Sequence, residues 1–262
     1  MSHRLRLVAT YFRLGALNEL QYRVNFWTNL LQSVLGLATS LGGLAVVFLH
    51  TDSLAGWSAP ELAALVGLFY LMRGAIRAVI QPSMEAFMDS VRKGTLDFIL
   101  TKPEDAQLLV SIQRVSLWSL IDVVLGFGVL VVALIRLQEQ VGWLTSLRFG
   151  VALLAGAVIV YSFHLILATC AFWFIKIENI LVIFHSMYRA GLWPVSIYPP
   201  TLRFILTFLV PVAFAVTVPA EAAVGRLTPG TLLLAAGLAI ALFMVSRAFW
   251  QYGIRHYSGA SA

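Results

Sequence analysis

The chain has 262 residues, of which 60% are hydrophobic and only 11% are charged, and its mean hydropathy is +0.88. A soluble domain has roughly 25% charged residues and could not bury this much apolar surface, so the composition excludes a soluble enzyme and a nucleic-acid-binding module. The formal net charge of +6 is typical of a membrane protein whose basic cytoplasmic loops face anionic lipid. The single cysteine, Cys170, cannot form an intrachain disulfide.

The N-terminal segment, residues 1–23, is predicted to form a basic amphipathic helix at the cytoplasmic surface of the membrane. Arg4, Arg6, Arg13 and Arg23 are spread through it, whereas a signal peptide has its basic residues before a continuous apolar stretch. Apolar residues recur between these arginines at helical spacing, as in helices that lie in the lipid interface. An unanchored tail is the alternative interpretation.

The remaining chain predicts six membrane-spanning helices, because about 20 mainly apolar residues are needed to cross the hydrocarbon core. Five segments meet this requirement, and Pro82 is expected to end the second of them. Five prolines divide the stretch 180–228, so we predict a fifth span there followed by a re-entrant segment at 198–218. The predicted spans are 26–49, 62–80, 117–137, 149–175, 180–195 and 232–250.

The distribution of basic residues predicts that both termini are cytoplasmic. With the N-terminus inside, 13 of the 18 Lys and Arg residues lie in cytoplasmic or inner-half positions and 4 lie outside, with Arg189 unassigned. Such a bias sets the orientation of multi-pass proteins.

The sequence contains no catalytic or metal-binding motif that we can identify. None of the three lysines follows a glycine, so a P-loop is excluded, and the five histidines lack the spacing of metal ligands. We therefore expect no catalytic residue, metal or cofactor in this chain. Ser162 and His164 are only two residues apart, which would point them to different faces of a helix, so an intramembrane hydrolase has little support.

Three charged residues within the apolar runs need partners. Asp122 in the third span and Arg73 and Arg77 near the inner end of the second are expected at similar depth, and ionisable groups in lipid are costly unless paired. We predict an ion pair, with a gate or substrate contact as the alternative. Arg189, in the fifth span, either faces a translocation pathway or extends to the lipid interface or a surface helix.

The cytoplasmic loop after the second span carries a capped and interrupted amphipathic segment at residues 83–103. Ser83 is expected to cap a short helix that Gly94 ends, and Thr95 to start a second turn with Asp97 near its N-terminus. Leu96 and Phe98 provide apolar surface in that turn. These side chains either insert into a pocket of another protein or pack on the chain's own spans.

Pairs of small residues one turn apart occur in spans one and four. They are Ala38 and Gly42, Thr39 and Gly43, and Ala152 and Gly156. Such pairs allow helices to approach closely, either within this chain or against a neighbouring chain.

Three sequence segments together resemble the permease subunits of ABC-2 type exporters, in particular a bacterial subfamily encoded with a second permease and an ATPase. They are Tyr22-Arg-Val-Asn-Phe-Trp27, Arg92-Lys-Gly-Thr-Leu-Asp-Phe-Ile-Leu-Thr-Lys-Pro103, and Trp193-Pro-Val-Ser-Ile-Tyr-Pro199 running into Arg203, Pro211 and Val218-Pro-Ala-Glu221. The resemblance covers essentially the whole chain, which it describes as a single transmembrane domain over residues 1–262.

The resemblance implies a fold and a set of partners. Residues 1–23 would be a connecting helix, 83–103 a coupling helix that docks on the ATPase, and 198–218 extracellular re-entrant helices between spans five and six. The partners would be two ATPase copies, which bind ATP and Mg²⁺, and a second permease half, identical or homologous, in a bacterial plasma membrane. The residues implied to contact the ATPase are Arg92, Lys93, Gly94, Thr95, Leu96, Asp97, Phe98 and Pro103, with Leu96 and Phe98 inserted.

The function predicted is therefore that of a permease subunit forming half of the pathway of an ATP-driven exporter. A secondary transporter or channel that is not coupled to an ATPase is the main alternative, and it would need coupling carboxylates at mid-membrane. Apart from Asp122 the spans offer few of these. An intramembrane enzyme of lipid metabolism is the third hypothesis, and it would need clustered Asp or His residues.

Overall fold

The computed structural model describes residues 23–137, 142–174 and 179–257, together with residue 10. The predicted interfacial helix at 1–23 lies almost entirely outside these residues. In chain order the helices are α1 (Arg23–Phe48), α2 (Ala59–Arg92), α3 (Asp97–Leu100), α4 (Ala106–Ile112), α5 (Leu117–Leu137), α6 (Trp143–Phe172), α7 (Ile180–Leu192), α8 (Pro200–Leu209), α9 (Ala213–Ala223) and α10 (Pro229–Arg255).

The prediction of an all-α membrane protein is confirmed. Five of the described helices, namely α1, α2, α5, α6 and α10, are long and apolar enough to cross a membrane, and a sixth is added if the bent pair α8–α9 is taken as one span. The predicted fifth span is shorter than expected, because α7 ends at Leu192, just before Pro194. Its 13 residues reach only about 20 Å, less than the ~30 Å hydrocarbon core.

The prediction that Pro82 ends the second span is wrong. Helix α2 passes through a π-helical stretch, Ile76–Ile80, and continues to Arg92. Proline has no N–H, so the Ala78 carbonyl lacks its usual hydrogen-bond donor within the helix. The Ser116 N–H donates to this carbonyl instead, at 2.7 Å. With 34 residues, α2 is about 50 Å long and extends well beyond the ~30 Å hydrocarbon core.

Ser83 is not a helix cap, as the sequence suggested, but a buried residue inside α2. Its hydroxyl donates to the Arg114 carbonyl at 2.7 Å, and the Gln113 side-chain amide donates to the Ser83 carbonyl at 2.9 Å. These bonds fix the projecting part of α2 to the segment that leads into α5.

The ends of the other long helices differ from the predicted spans by a few residues. Helix α6 begins at Trp143, six residues before the predicted start, and α10 runs from Pro229 to Arg255. The earlier start of α10 follows from a capping pattern, since the Thr228 hydroxyl accepts the Thr231 N–H at 3.2 Å and proline occupies the first helical turn.

Helices α2 and α5 are in close contact at glycines that do not belong to the predicted small-residue pairs. A Cβ atom on Gly67 would lie 2.7 Å from the Leu130 nitrogen, and one on Gly74 would lie 2.7 Å from the Val123 nitrogen. Gly126 faces the Gly67 carbonyl in the same way. The two backbones approach this closely only because the side chains are absent.

The predicted small-residue pairs have two different environments. Gly156 packs against the Phe214 carbonyl of α9, whereas a Cβ on Gly42 or Gly43 would meet nothing within 4 Å. The span-four pair therefore packs within this chain, and the glycines of span one make no close contact with the described residues.

The segment predicted to be re-entrant forms a bent pair of helices, α8 and α9, that meet at 77° around Val210 and Pro211. It extends to Ala223, five residues beyond the prediction. Helix α9 is buried throughout its first turns, whereas Phe204 and Phe208 of α8 are exposed. The buried limb agrees with the rule that interrupted backbone at membrane depth is covered by protein.

Candidate coupling site and buried charges

The projecting end of α2 carries the predicted coupling segment and turns sharply at Gly94. The Thr95 N–H bonds to the Ser90 carbonyl at 2.9 Å and the Gly94 N–H to the Val91 carbonyl at 3.1 Å, which is the Schellman pattern. Gly94 has φ +67°, a conformation that residues with a Cβ rarely adopt. This turn directs the chain back along α2 into α3.

Leu96 lies against this chain, so the prediction that it inserts into a partner is wrong. Its side chain is fully buried in a set of residues that we call the loop cluster. The cluster joins the end of α2 and the loop to α6, α7 and α10. Its buried members are Met84, Phe87, Met88, Leu96, Val110, Leu165, Ala168, Leu181 and Trp250.

Phe98 points away from the loop cluster and is 74% exposed. Its neighbours in α3, Ile99 and Leu100, are half-buried and pack on the cluster. The helix begins at Asp97 rather than Thr95, and the exposed Thr95 bonds back to the Ser90 carbonyl at 3.4 Å. Helix α3 therefore presents one large apolar side chain to the surroundings and is held by the residues beside it.

Several charged residues precede Phe98 in the chain, in the last turn of α2 and at the start of α3. Asp89 pairs with Arg92 and with Lys93, each at 2.6 Å, across one turn of α2. Asp97 is half-buried, and Pro103 is exposed three residues after α3 ends. Phe98 is therefore an exposed apolar side chain in a segment whose other exposed side chains include the charged Arg92 and Lys93.

An ion pair that the sequence did not predict joins the loop to α10. The Arg247 guanidinium binds both carboxylate oxygens of Asp105, with Nη1 at 3.0 Å from Oδ1, and also donates to the Gln107 amide oxygen at 2.7 Å. Gln107 in turn donates to the Tyr161 hydroxyl of α6 at 3.0 Å. The hydrogen bonds from Arg247 lower the pKa of Asp105 below its ordinary value, so the pair is ionised at neutral pH.

The sequence could have predicted the capping role of Asp105 but not its pairing with Arg247. Asp105 accepts the Leu108 N–H at 3.1 Å and caps α4, a role that an aspartate after Pro103 could have suggested. Nothing in the order of residues, however, connects it with Arg247, which lies 142 positions later.

Asp122 is almost completely buried and lies beside both predicted arginines. Arg73 holds it with two hydrogen bonds, Nε to Oδ2 at 3.0 Å and Nη2 to Oδ1 at 2.8 Å. Arg77 approaches only with Nη1, at 3.7 Å from Oδ2. The Arg73 guanidinium also lies 4.1 Å from the Tyr70 ring centroid, so Arg73 is the principal partner of the carboxylate.

Arg189 lies in the 3₁₀ turn that ends α7, where its side chain is exposed. It makes no ion pair or hydrogen bond with any residue that the structure describes. It is not brought together with the Asp122 group.

At the opposite end of the bundle, two further arginines fix the re-entrant segment. Arg226, just after α9, pairs with Glu61 at 2.8 Å, donates to the Gly56 carbonyl at 2.7 Å and lies 5.2 Å from the Trp57 ring centroid. Arg203 donates to the Ser196 carbonyl at 2.6 Å in the turn before α8. The distribution of Lys and Arg predicts an outer position for both arginines but does not predict these partners.

Among the residues that the structure describes, no group of three or more His, Cys, Asp or Glu side chains is placed to hold a metal ion.

A comparison with known protein families matches residues 34–261 to the family described as ABC-2 family transporter protein. A search of curated proteins found no match. The matched region contains helices α2 to α10 in full and α1 from residue 34 onward. It therefore includes the loop with Leu96 and Phe98 and the bent pair α8–α9. The chain therefore belongs to the ABC-2 family of transporter proteins and is a membrane component of permease type.

Proposed function

We propose that this chain is the permease subunit of an ATP-driven exporter and forms half of its translocation pathway. Its partners are two copies of an ATPase, which bind ATP and Mg²⁺, and a second permease half in a bacterial plasma membrane. The single observation that carries the proposal is the exposed Phe98 on a helix whose other apolar side chains are packed on the permease.

The surroundings of Phe98 support a protein partner. A large aromatic side chain that is exposed while its neighbours are packed is typical of an interface anchor, and such anchors provide much of the binding free energy of an interface. ATP-driven closure moves the permease only if a contact differs in free energy between the open and closed ATPase dimers. The loop cluster, which contains Leu96, connects such a contact to α6, α7 and α10.

The state of Asp122 argues against a secondary transporter. A coupling carboxylate has to exchange a proton or ion during transport, whereas Asp122 is buried and bound through both oxygens to Arg73. The geometry favours a structural pair.

We expect Phe98→Ala to leave the permease folded but to reduce co-purification of the ATPase by at least the ~30-fold that corresponds to 2 kcal/mol at an interface anchor. Arg92→Ala is the control at an exposed charged side chain of the same segment and should retain most of the ATPase, because peripheral charges contribute little to binding. Melting temperature and ATPase retention are measured on the same preparations. Normal retention by Phe98→Ala would contradict the assignment of the coupling site.

We expect the loop 50–58 to face outward and the coupling segment to face the cytoplasm, in agreement with the distribution of Lys and Arg. After Cys170 is replaced, a cysteine at the exposed Ser53 should react in intact cells with an impermeant maleimide. A cysteine at the exposed Thr95 should react only after the cells are opened. The reverse pattern would contradict the proposed orientation.

A further inference from the structure

A large apolar groove lies between α1, α2 and α5, in the half of the bundle that is remote from the coupling segment. Its volume is about 790 Å³. Leu41 and Phe48 of α1 form one wall, Ala63 of α2 the floor, and Gly128 and Val132 of α5 the other wall. Val132 is 55% exposed, so the groove is open at the side of the described bundle.

The groove lies beside contacts that α1 still makes in this half, where Leu44 is buried and Leu41 and Phe48 pack against other core residues. Nearer the other end α1 is held by Tyr70, whose hydroxyl lies 3.2 Å from the Ser40 hydroxyl and against Gly36. Beyond Ser40, the glycines Gly42 and Gly43 have no neighbour within 4 Å of an added Cβ.

One charged group closes the end of this groove. Every lining residue except Arg136 is apolar, and Arg136 lies at the last turn of α5. Its guanidinium has no ion-pair or hydrogen-bond partner within the described ranges 23–137, 142–174 and 179–257. Two other arginines at this end, Arg203 and Arg226, are bound by the chain itself.

The dimensions fit half of a bilayer. From Val124 to Arg136 the groove follows α5 for about 18 Å, slightly more than half of the ~30 Å hydrocarbon core. The groove is thus about as long as one leaflet is thick, and it ends at the cationic side chain of Arg136. This arrangement complements an acyl chain attached to an anionic phosphate.

We propose that this groove binds a phospholipid of the surrounding bilayer with an anionic headgroup, its acyl chain between α1 and α5 and its phosphate against Arg136. Burial of an acyl chain contributes in proportion to the apolar area covered, which alone would not distinguish headgroups. The charge-assisted hydrogen bond to Arg136 provides the preference for an anionic lipid. The site is remote from the loop cluster and does not depend on ATP coupling.

The headgroup is tested with two lipids that share the same chains, dioleoylphosphatidylglycerol and dioleoylphosphatidylcholine. Binding to the full-length permease is measured by native mass spectrometry. The wild-type chain should prefer the anionic lipid, and Arg136→Gln should weaken that binding roughly tenfold, as expected for one lost hydrogen bond to a charged group. Arg148→Gln is the matched control, because Arg148 lies at the same end of the bundle and lines no part of the groove.

The acyl-chain site is tested by filling the groove. A Cβ on Gly128 meets nothing within 4 Å, so Gly128→Leu should place a side chain in the groove without a clash and weaken binding of both lipids. Gly237→Leu is the control, because Gly237 in α10 is equally open but lies outside the groove. Unchanged melting temperatures show that both variants are folded.

Three results would overturn the proposal. Arg136→Gln could keep the preference for phosphatidylglycerol, or Gly128→Leu could bind both lipids as the wild type does. Alternatively, Gly128→Leu could separate the permease halves while lipid binding stays normal, which would identify the second permease as the occupant. None of these results bears on retention of the ATPase, so failure here is distinguishable from failure of the coupling assignment.

Discussion

Replacing Asp122 with asparagine should lower the stability of the permease by about 3–5 kcal/mol, the range measured when one partner of a buried ion pair is removed. Asparagine keeps the shape of the side chain, which packs beside Gly74, so the loss reports the missing charge rather than a cavity. The Arg73 guanidinium would then remain largely enclosed without its anion. Melting temperature in the same detergent or nanodisc measures the effect.

The two arginines next to Asp122 provide an internal control. Arg73→Met combined with Asp122→Asn should recover part of the lost stability, because no uncompensated charge is left. Arg77→Met combined with Asp122→Asn should be close to additive, because Arg77 is 39% exposed and makes only the 3.7 Å contact. Additive behaviour of both pairs would show that Asp122 does not interact with either arginine.

The membrane spans could be predicted because lipid imposes a simple rule of length and polarity. Runs of about 20 apolar residues have few alternatives to a transmembrane helix. Helix α5 has the predicted limits, and α1 ends one residue before its predicted end. The Asp122–Arg73 juxtaposition followed from the same rule, since a charge at a given depth requires a partner at that depth.

The continuation of α2 past Pro82 could not be predicted from local sequence. Proline predicts a helix end because the carbonyl four residues earlier loses its donor. Here the Ser116 N–H bonds to that carbonyl, and its position is fixed by the tertiary fold. The Arg247–Asp105 pair and the contact between Gly67 and Gly126 have the same origin, because each joins residues that are far apart in the sequence.

The different orientations of Leu96 and Phe98, by contrast, could have been anticipated. Residues two positions apart on a helix point to different sides, so only one of them can insert into a partner while the other packs on the permease. The sequence did not indicate which, because this depends on where the loop cluster receives a side chain.

A substitution at Leu96 therefore tests whether binding of the ATPase and transmission of its motion depend on different residues. Truncating a fully buried leucine costs about 2–5 kcal/mol, so Leu96→Ala should lower the melting temperature of the permease markedly. Leu233→Ala is the control, because Leu233 is 73% exposed and the same change should have little effect there.

The functional consequence of Leu96→Ala should be the opposite of that of Phe98→Ala. With Phe98 intact, the folded fraction should still retain the ATPase, but transport should fall because α3 is no longer held firmly against α6, α7 and α10. Phe98→Ala should keep its melting temperature and lose the ATPase. The pair is measured by melting, ATPase retention and vesicle transport in parallel. If folded Leu96→Ala lost the ATPase while Phe98→Ala retained it, the two residues would have the opposite roles. An unchanged melting temperature in Leu96→Ala would contradict the position of Leu96 in the loop cluster.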